Sequence, residues 1–161
     1  MRKIMLFGAT VAVVLATFGA YSVASADGGG SAQVIRLRGV TVQEAEIDNG
    51  EEGFGLGDGF VESDDLYDRT GALVGRLGVS CDVTRFVDAE EDSLVDLECN
   101  AGLKLAAGTI EVQGLVTFSD DSGPSFSVAV VGGTGAYRNA HGELQVRDLS
   151  ETETEYTIRL T

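Results

Sequence analysis

Residues 130–142 read Val-Val-Gly-Gly-Thr-Gly-Ala-Tyr-Arg-Asn-Ala-His-Gly. A glycine run of this kind can form a nucleotide-binding loop, which needs a strand before it and a helix after it in a βαβ unit. Residues 143–147, Glu-Leu-Gln-Val-Arg, instead alternate polar and apolar side chains as a half-buried strand does. The stretch therefore predicts a bend between two strands, with Gly132, Gly133 and Gly135 at points where a side chain would obstruct.

Alternation with a period of two predicts eight β-strands, and no segment after residue 26 has a helical period. The predicted strands are residues 34–47, 57–66, 73–83, 95–105, 109–118, 126–131, 142–149 and 155–160. Eight is the strand count of a closed antiparallel β-barrel, which has an interior able to hold one small ligand. The expected fold is thus all-β, with a β-sandwich of similar strand count as the alternative.

The N-terminus has the pattern of a secretory signal peptide. Basic residues at positions 2 and 3 precede an apolar run over residues 4–18, and Ala-Ser-Ala follows at residues 24–26. The apolar run is shorter than the roughly twenty residues that a retained membrane anchor, the alternative, would need. We expect a signal peptide over residues 1–26, a flexible leader over 27–33, one barrel domain over 34–161, and a secreted protein without stable membrane insertion.

The chain is strongly acidic, with 26 Asp and Glu against 11 Lys and Arg. Its formal net charge is −15, and loss of Arg2 and Lys3 with the signal peptide makes it −17. A nucleic-acid partner is excluded because phosphate binding needs clustered cations. Solubility outside the cell explains the carboxylates, many of which lie in predicted turns. Calcium binding is the alternative, although no loop has the ligand spacing of an EF-hand.

Cys81 and Cys99, the only cysteines, are predicted to form a disulfide between the third and fourth strands. Both lie on the apolar parity of their strands, and each is nine positions from Glu90 in the turn between them. This symmetry places them opposite each other in a hairpin. An even number of cysteines in an exported chain favours the bridge over two buried thiols.

Three blocks of the sequence occur in an order shared with one family of barrels. Residues 130–142 match a Val-Val-Gly-Gly-Thr-Gly signature, and residues 108–114 look like a Gly-Thr-Ile-x-Val-x-Gly strand. Residues 57–68 and 74–78 are similar to an earlier strand and the turn that follows it. Together the blocks resemble the allene oxide cyclase and dirigent barrel superfamily. The resemblance implies the eight-stranded barrel, and it implies a homodimer or homotrimer.

The side chains restrict the chemistry that this protein can perform. Because His141 is the only histidine, a catalytic triad can be built only around it. Two paired cysteines and one histidine leave too few nitrogen and sulfur ligands for zinc or iron, so we expect neither a metal nor a cofactor. The resemblance implies chemistry by positioning and by a few charges in an apolar pocket.

Several carboxylates and one imidazole are candidate catalytic groups. The resemblance to dirigent proteins implies a pocket carboxylate at Asp64 or Asp65, and the resemblance to allene oxide cyclases points loosely to Glu44. Adjacent residues of a strand face opposite sides, so at most one of Asp64 and Asp65 lines the interior. His141 is a candidate for proton exchange near neutral pH, with a structural role at the bend as the alternative.

Phe60, Tyr137 and Arg138 are candidate ligand contacts. Their alternative roles are core packing for the two aromatic rings and an exposed bend position for Arg138. Two functions remain open on these residues. One is a barrel that binds a small hydrophobic molecule without catalysis, as a carrier or as a structural protein, and the other is a cyclase, isomerase or stereochemical guide that acts on such a molecule.

Overall fold

The computed structural model describes residues 33–50, 55–87, 93–119 and 122–161. The predicted signal peptide lies outside these residues. The strands are β1 (Gln33–Ile47), β2 (Gly59–Tyr67), β3 (Leu73–Val87), β4 (Leu94–Leu105), β5 (Gly108–Ser119), β6 (Ser125–Gly133), β7 (Gly142–Asp148) and β8 (Glu153–Leu160). A short 3-10 helix, Gly135–Tyr137, lies between β6 and β7.

The strands form one closed barrel in chain order, β1 to β8. Each strand pairs antiparallel with its neighbours in sequence, and the pairing of β1 with β8 closes the barrel, beginning at Gln33 opposite Leu160. The predicted all-β, eight-stranded antiparallel barrel is confirmed, and the sandwich alternative is wrong. Within the described ranges, no helix has the length and hydrophobicity needed to cross a membrane.

Side chains alternate between the barrel interior and the outer surface as the sequence predicts. In β5, Ile110, Val112 and Val116 are buried, whereas Glu111 and Gln113 are exposed. This alternation arises because successive side chains of a strand leave the sheet on opposite faces. Burial of the inner row removes apolar surface from water, which stabilises the barrel by about 25 cal/mol per Å².

Cys81 and Cys99 form the predicted disulfide. They lie directly opposite each other in the β3–β4 register, and their sulfur atoms are 2.02 Å apart. Both side chains point into the barrel, where Cys81 packs with Val83 and Leu97. The bridge is therefore part of the inner wall.

The two ends of the barrel differ. The filled end is the one at which β2, β4, β6 and β8 finish, and its interior is closed by aliphatic side chains such as Leu66, Leu103 and Ile110, all 0% exposed. The mouth end is the one at which these strands begin and β1, β3, β5 and β7 finish. Packing at the filled end leaves any internal space to the mouth end.

The glycine-rich stretch 130–142 lies at the filled end, where it packs on the β4–β5 turn. Ala136 N donates a hydrogen bond of 2.9 Å to the Ala107 carbonyl. Gly135 has a φ of 60°, and a Cβ there would collide with the same carbonyl, whereas a Cβ on Gly133 would collide with the Thr109 carbonyl. Gly132 has open space beside its Cα. Close approach of the backbone thus requires glycine at two of these three positions.

Candidate functional site

The barrel contains a cavity of about 230 Å³ in its mouth-end half. Aliphatic and aromatic side chains from seven of the eight strands form most of its wall. The lining residues are Phe60, Glu62, Leu77, Val79, Cys81, Cys99, Ala101, Val112, Phe118, Phe126, Val128, Leu144, Val146, Asp148, Thr154 and Tyr156. An apolar cavity with a few polar groups is the usual form of a small-molecule site.

The inner row of β2 brings two carboxyl groups towards this cavity. Because side chains alternate, Phe60, Glu62, Asp64 and Leu66 share the inner face of the strand. Glu62 lies in the cavity wall. Asp64 lies deeper and is only 1% exposed. Acidic residues are rarely buried to this degree unless they are paired, so the partners of both carboxyl groups define the site.

Asp64 is held by Tyr156 from β8. The Tyr156 hydroxyl donates a hydrogen bond of 2.6 Å to Oδ2 of Asp64. Burial, followed by the hydrogen bond to Asp64, raises the pKa of Tyr156 above its ordinary value. Tyr156 therefore acts as a neutral hydrogen-bond donor. The other oxygen of Asp64, Oδ1, is buried and has no hydrogen-bond donor among the described residues.

Glu62 has a strongly perturbed acidity. Burial is the largest cause that raises its pKa to about 7, and the hydrogen bond to Asp64 and the charge of Asp64 follow. The Thr41 hydroxyl donates a hydrogen bond of 3.0 Å to Oε1 of Glu62 and acts in the opposite direction. Near neutral pH, Glu62 is therefore able both to donate and to accept a proton. Asp64 contributes by raising the pKa of Glu62.

A second acid lies at the mouth of the cavity. Asp148, near the end of β7, has its pKa raised by burial and lowered by a hydrogen bond from Thr154. Both residues line the cavity on the side opposite the β3–β4 disulfide wall, in the pair β7–β8. Among the described lining residues, the polar ones are thus Glu62, Asp148, Thr154 and Tyr156.

The structure separates the residues that the sequence marked as catalytic. Asp64 is inside the barrel, whereas Asp65 is on the outer face, opposite Arg76 in β3. Glu44 lies directly opposite Glu62 in the β1–β2 register, and its charge contributes to the raised pKa of Glu62. His141 is exposed at the filled end, where its Nδ1 lies 2.8 Å from the Asn139 carbonyl oxygen.

The candidate ligand contacts are divided in the same way. Phe60 lies in the cavity wall. Tyr137 packs against the aliphatic core from the bend at the filled end, where burial raises its pKa. Arg138 is exposed at that bend. The cavity therefore receives Phe60 but neither residue of the glycine-rich stretch.

Three residues of the site, Glu62, Tyr156 and Asp148, were not predicted from the sequence. The signal for Glu62 was its position two residues before Asp64, on the same face of one strand. Tyr156 lies two and four positions before the buried residues Ile158 and Leu160 in β8, so it shares their inner face. In the part of the chain that the structure describes, no group of three or more His, Cys, Asp or Glu side chains is placed to hold a metal ion.

Comparisons with known proteins agree with this architecture. A family model described as allene oxide cyclase barrel like domain matches residues 39–160. No curated protein sequence matches the chain significantly. Among solved structures, a pyocyanin demethylase has 29% sequence identity and a TM-score of 0.69, over 80% of this chain and 100% of its own.

Two more distant structures share the fold. An exo-specific intermolecular Diels-Alderase has 18% identity and a TM-score of 0.63, with 81% of this chain and 98% of its own covered. A pterocarpan synthase dirigent protein has 18% identity and a TM-score of 0.60, with 81% and 94% covered. The three names describe proteins that act on small organic molecules, and the two distant ones show similarity of fold alone.

Proposed function

The chain belongs to the allene oxide cyclase barrel like family, and on this premise we propose that it is an enzyme of cyclase or isomerase type that acts on a small hydrophobic metabolite held in the barrel. The observation that carries the proposal is the Glu62 carboxyl group in the wall of an apolar cavity, backed by Asp64. Side chains alone supply the proton donor and acceptor, so the step requires no cofactor.

The three polar residues have separate roles in this proposal. Glu62 exchanges a proton with the bound molecule, because its pKa of about 7 balances the two protonation states at neutral pH. Asp64, next to Glu62 on the inner face of β2, sustains that raised pKa. Tyr156 fixes Asp64 through Oδ2. The apolar wall excludes water, which strengthens each of these interactions.

The similar structures support the reaction class at a coarse level. One of them is named a demethylase, one a Diels-Alderase and one a pterocarpan synthase. These reactions differ, but each needs a small molecule to be held in one orientation, which an enclosed barrel provides. In this chain, Glu62 would transfer the proton, and the structure of the bound metabolite would determine which bonds rearrange.

A carrier without catalysis is the competing function. A cavity walled by aliphatic side chains alone would favour a carrier, since no group would then be able to act on the ligand. Burial of Asp64 and partial burial of Glu62 are costly for stability, and perturbed acids such as Glu62 are concentrated at sites of chemistry. The Glu62–Asp64 pair therefore favours the enzyme.

Native mass spectrometry of the protein recovered from its own host's culture medium tests the proposal first, by identifying a bound metabolite. That metabolite and its precursors then serve as substrates for the unaltered protein, Glu62→Gln and Glu111→Gln. We expect Glu62→Gln to reduce turnover about 100-fold or more while binding persists. Glu111, an exposed acid on the outer face of β5, is the matched control and should leave turnover unchanged. A metabolite that binds and is released unaltered by the unaltered protein would contradict the enzyme and support the carrier.

We also propose that the protein is exported. The Cys81–Cys99 bridge supports this, because structural disulfides persist mainly in oxidising compartments. The N-terminal sequence of the protein from culture medium should begin near Asp27, after removal of residues 1–26. Retention of those residues in a cell-bound protein would contradict export by signal cleavage.

A further inference from the structure

We propose that the cavity selects a small planar aromatic cation. The inference rests on the proposed function, since it names the class of molecule that the same cavity holds. Its basis is the charge and the chemistry of the wall, where the described residues provide carboxyl groups and aromatic rings but no cationic side chain.

The charged side chains in the wall are all acidic. Among the described residues that line the cavity, Glu62 and Asp148 are the ionisable carboxylic acids, and Lys, Arg and His are absent. Glu44 adds a further carboxyl group opposite Glu62 on β1. An anionic ligand would meet only like charge here and would lose its hydration without a partner, which is a large cost in an apolar cavity.

A second carboxyl group lies behind the wall. Asp64 shares the inner face of β2 with Glu62, and its buried Oδ1 has no hydrogen-bond donor among the described residues. Asp64 is buried and Glu62 is partly buried, and the described residues that line the cavity include no cationic side chain that could pair with them. A cationic ligand would supply the missing positive charge.

Aromatic rings provide the second feature that a cation uses. Phe60, Phe118, Phe126 and Tyr156 all line the cavity. The rings of Phe118 and Phe126 meet edge to face, with centroids 5.7 Å apart and an interplanar angle of 79°. The face of an aromatic ring attracts a cation, and rings combined with carboxylates are the usual means of binding quaternary or protonated nitrogen.

The size of the cavity limits the ligand. At about 230 Å³ it is smaller than the range of roughly 300–1,000 Å³ that is common for drug-sized molecules. A planar bicyclic ring system is therefore the expected scale. The overall net charge of −15 further favours the approach of cations to the barrel.

Calorimetric titration with three bicyclic probes of similar shape tests the proposal: N-methylquinolinium as the cation, 1-methylnaphthalene as the neutral isostere and 1-naphthoate as the anion. At about pH 8 and about 0.15 M salt, where surface attraction is screened, we expect the cation to bind about tenfold or more tightly than the neutral probe. The anion should not bind. Glu62→Gln should weaken cation binding about tenfold and leave the neutral probe unchanged, whereas Glu111→Gln should change neither.

The outcomes separate this proposal from the function on which it rests. Binding of the neutral probe or the anion as tightly as the cation overturns charge selection but leaves a ligand-binding cavity. Equal loss of cation binding in Glu62→Gln and Glu111→Gln also overturns it, because attraction to the acidic surface would then explain the binding. Failure of all three probes to bind overturns both the charge selection and the use of this cavity for bicyclic ligands.

Discussion

Tyr156 reaches across Gly39 to donate its hydrogen bond to Asp64, a residue 92 positions earlier in the chain. Gly39 lies on β1 between the two strands, opposite Leu66 of β2 and Thr154 of β8. A Cβ at Gly39 would lie 2.5 Å from Cε2 of Tyr156 and closer still to Oδ2 of Asp64. The buried carboxylate, its donor and the gap between them are thus set by three neighbouring strands.

Removal of the Tyr156 hydroxyl should destabilise the barrel. Tyr156→Phe keeps the ring but leaves Oδ2 of Asp64 without its donor, and Asp64 is only 1% exposed. We expect the free energy of unfolding to fall by about 1–3 kcal/mol, measured by urea denaturation. Tyr67→Phe is the control, since it keeps the ring that contacts the Arg38 guanidinium outside the cavity. An equal change in both variants would show that the hydrogen bond does not stabilise the fold.

Substitution of Gly39 should separate Asp64 from Tyr156. Gly39→Ala introduces a methyl group where two side chains already meet, so at least one of them has to move. We expect a loss of about 1–3 kcal/mol in the free energy of unfolding, as for other overpacked interiors. Gly78→Ala in β3 is the matched control because a Cβ there meets nothing within 4 Å. The two variants should be compared in one denaturation series, and equal stability would refute the steric role of Gly39.

Most of the fold was predictable because it depends on local alternation. The eight predicted strands are all present, and their ends differ from the observed ones by only a few residues. The largest extension is in β3, which continues to Val87 past a register shift between Val83 and Arg85. A bulge of this kind interrupts the period of two, so the alternation predicted the strand only as far as the bulge.

The site was less predictable because both faces of β2 are polar. Glu62 and Asp64 face inward, while Ser63 and Asp65 face outward, so hydrophobicity alone did not identify the inner row.

The distance of the glycine-rich stretch from the cavity depends on the closed topology. In an antiparallel barrel, every second loop between strands lies at the same end, and the loop between β6 and β7 lies at the filled end. Sequence motifs carry no information about that placement until the strand order is known.

Loss of the disulfide should weaken the barrel without rearranging it. The bridge links residues 18 positions apart, and a loop of this size contributes about 3 kcal/mol by restricting the unfolded chain. Cys81→Ser with Cys99→Ser should therefore lower the melting temperature, measured by calorimetry beside the unaltered protein with and without reductant. The reduced protein should approach the double variant. Two free thiols found by alkylation of the exported, unreduced protein would contradict the bridge.

Neutralisation of Asp64 should lower the pKa of Glu62. Burial is the largest cause of the raised value, but the hydrogen bond to Asp64 and its charge are the next two. Asp64→Asn removes the charge, so the pKa of Glu62 should move from about 7 towards its ordinary value, with the remainder due to burial. Carboxyl ¹³C NMR titration measures the shift. Asp65→Asn, on the outer face of the same strand, should leave the pKa of Glu62 unchanged. An equal shift of that pKa in Asp65→Asn would contradict the pairing of Glu62 with Asp64.

Glu62 should make the stability of the protein decrease as the pH rises from about 4.5 to about 7. Its pKa is about 7 when folded and near the ordinary value of 4.5 when unfolded, so between these values the folded state binds the extra proton. Stability rises with pH only where the unfolded state binds more protons, so here it falls, and the loss is complete above about pH 7. Glu62→Gln removes this dependence.

The difference in melting temperature between Glu62→Gln and the unaltered protein should therefore shift in favour of the variant from about pH 4.5 to about pH 7 and be constant outside that window. Glu111→Gln, which removes an exposed outer carboxylate, should give a difference without this step. A difference curve for Glu62→Gln that is also flat would mean that Glu62 titrates as an ordinary carboxylic acid, and the acid–base role proposed for it would be lost.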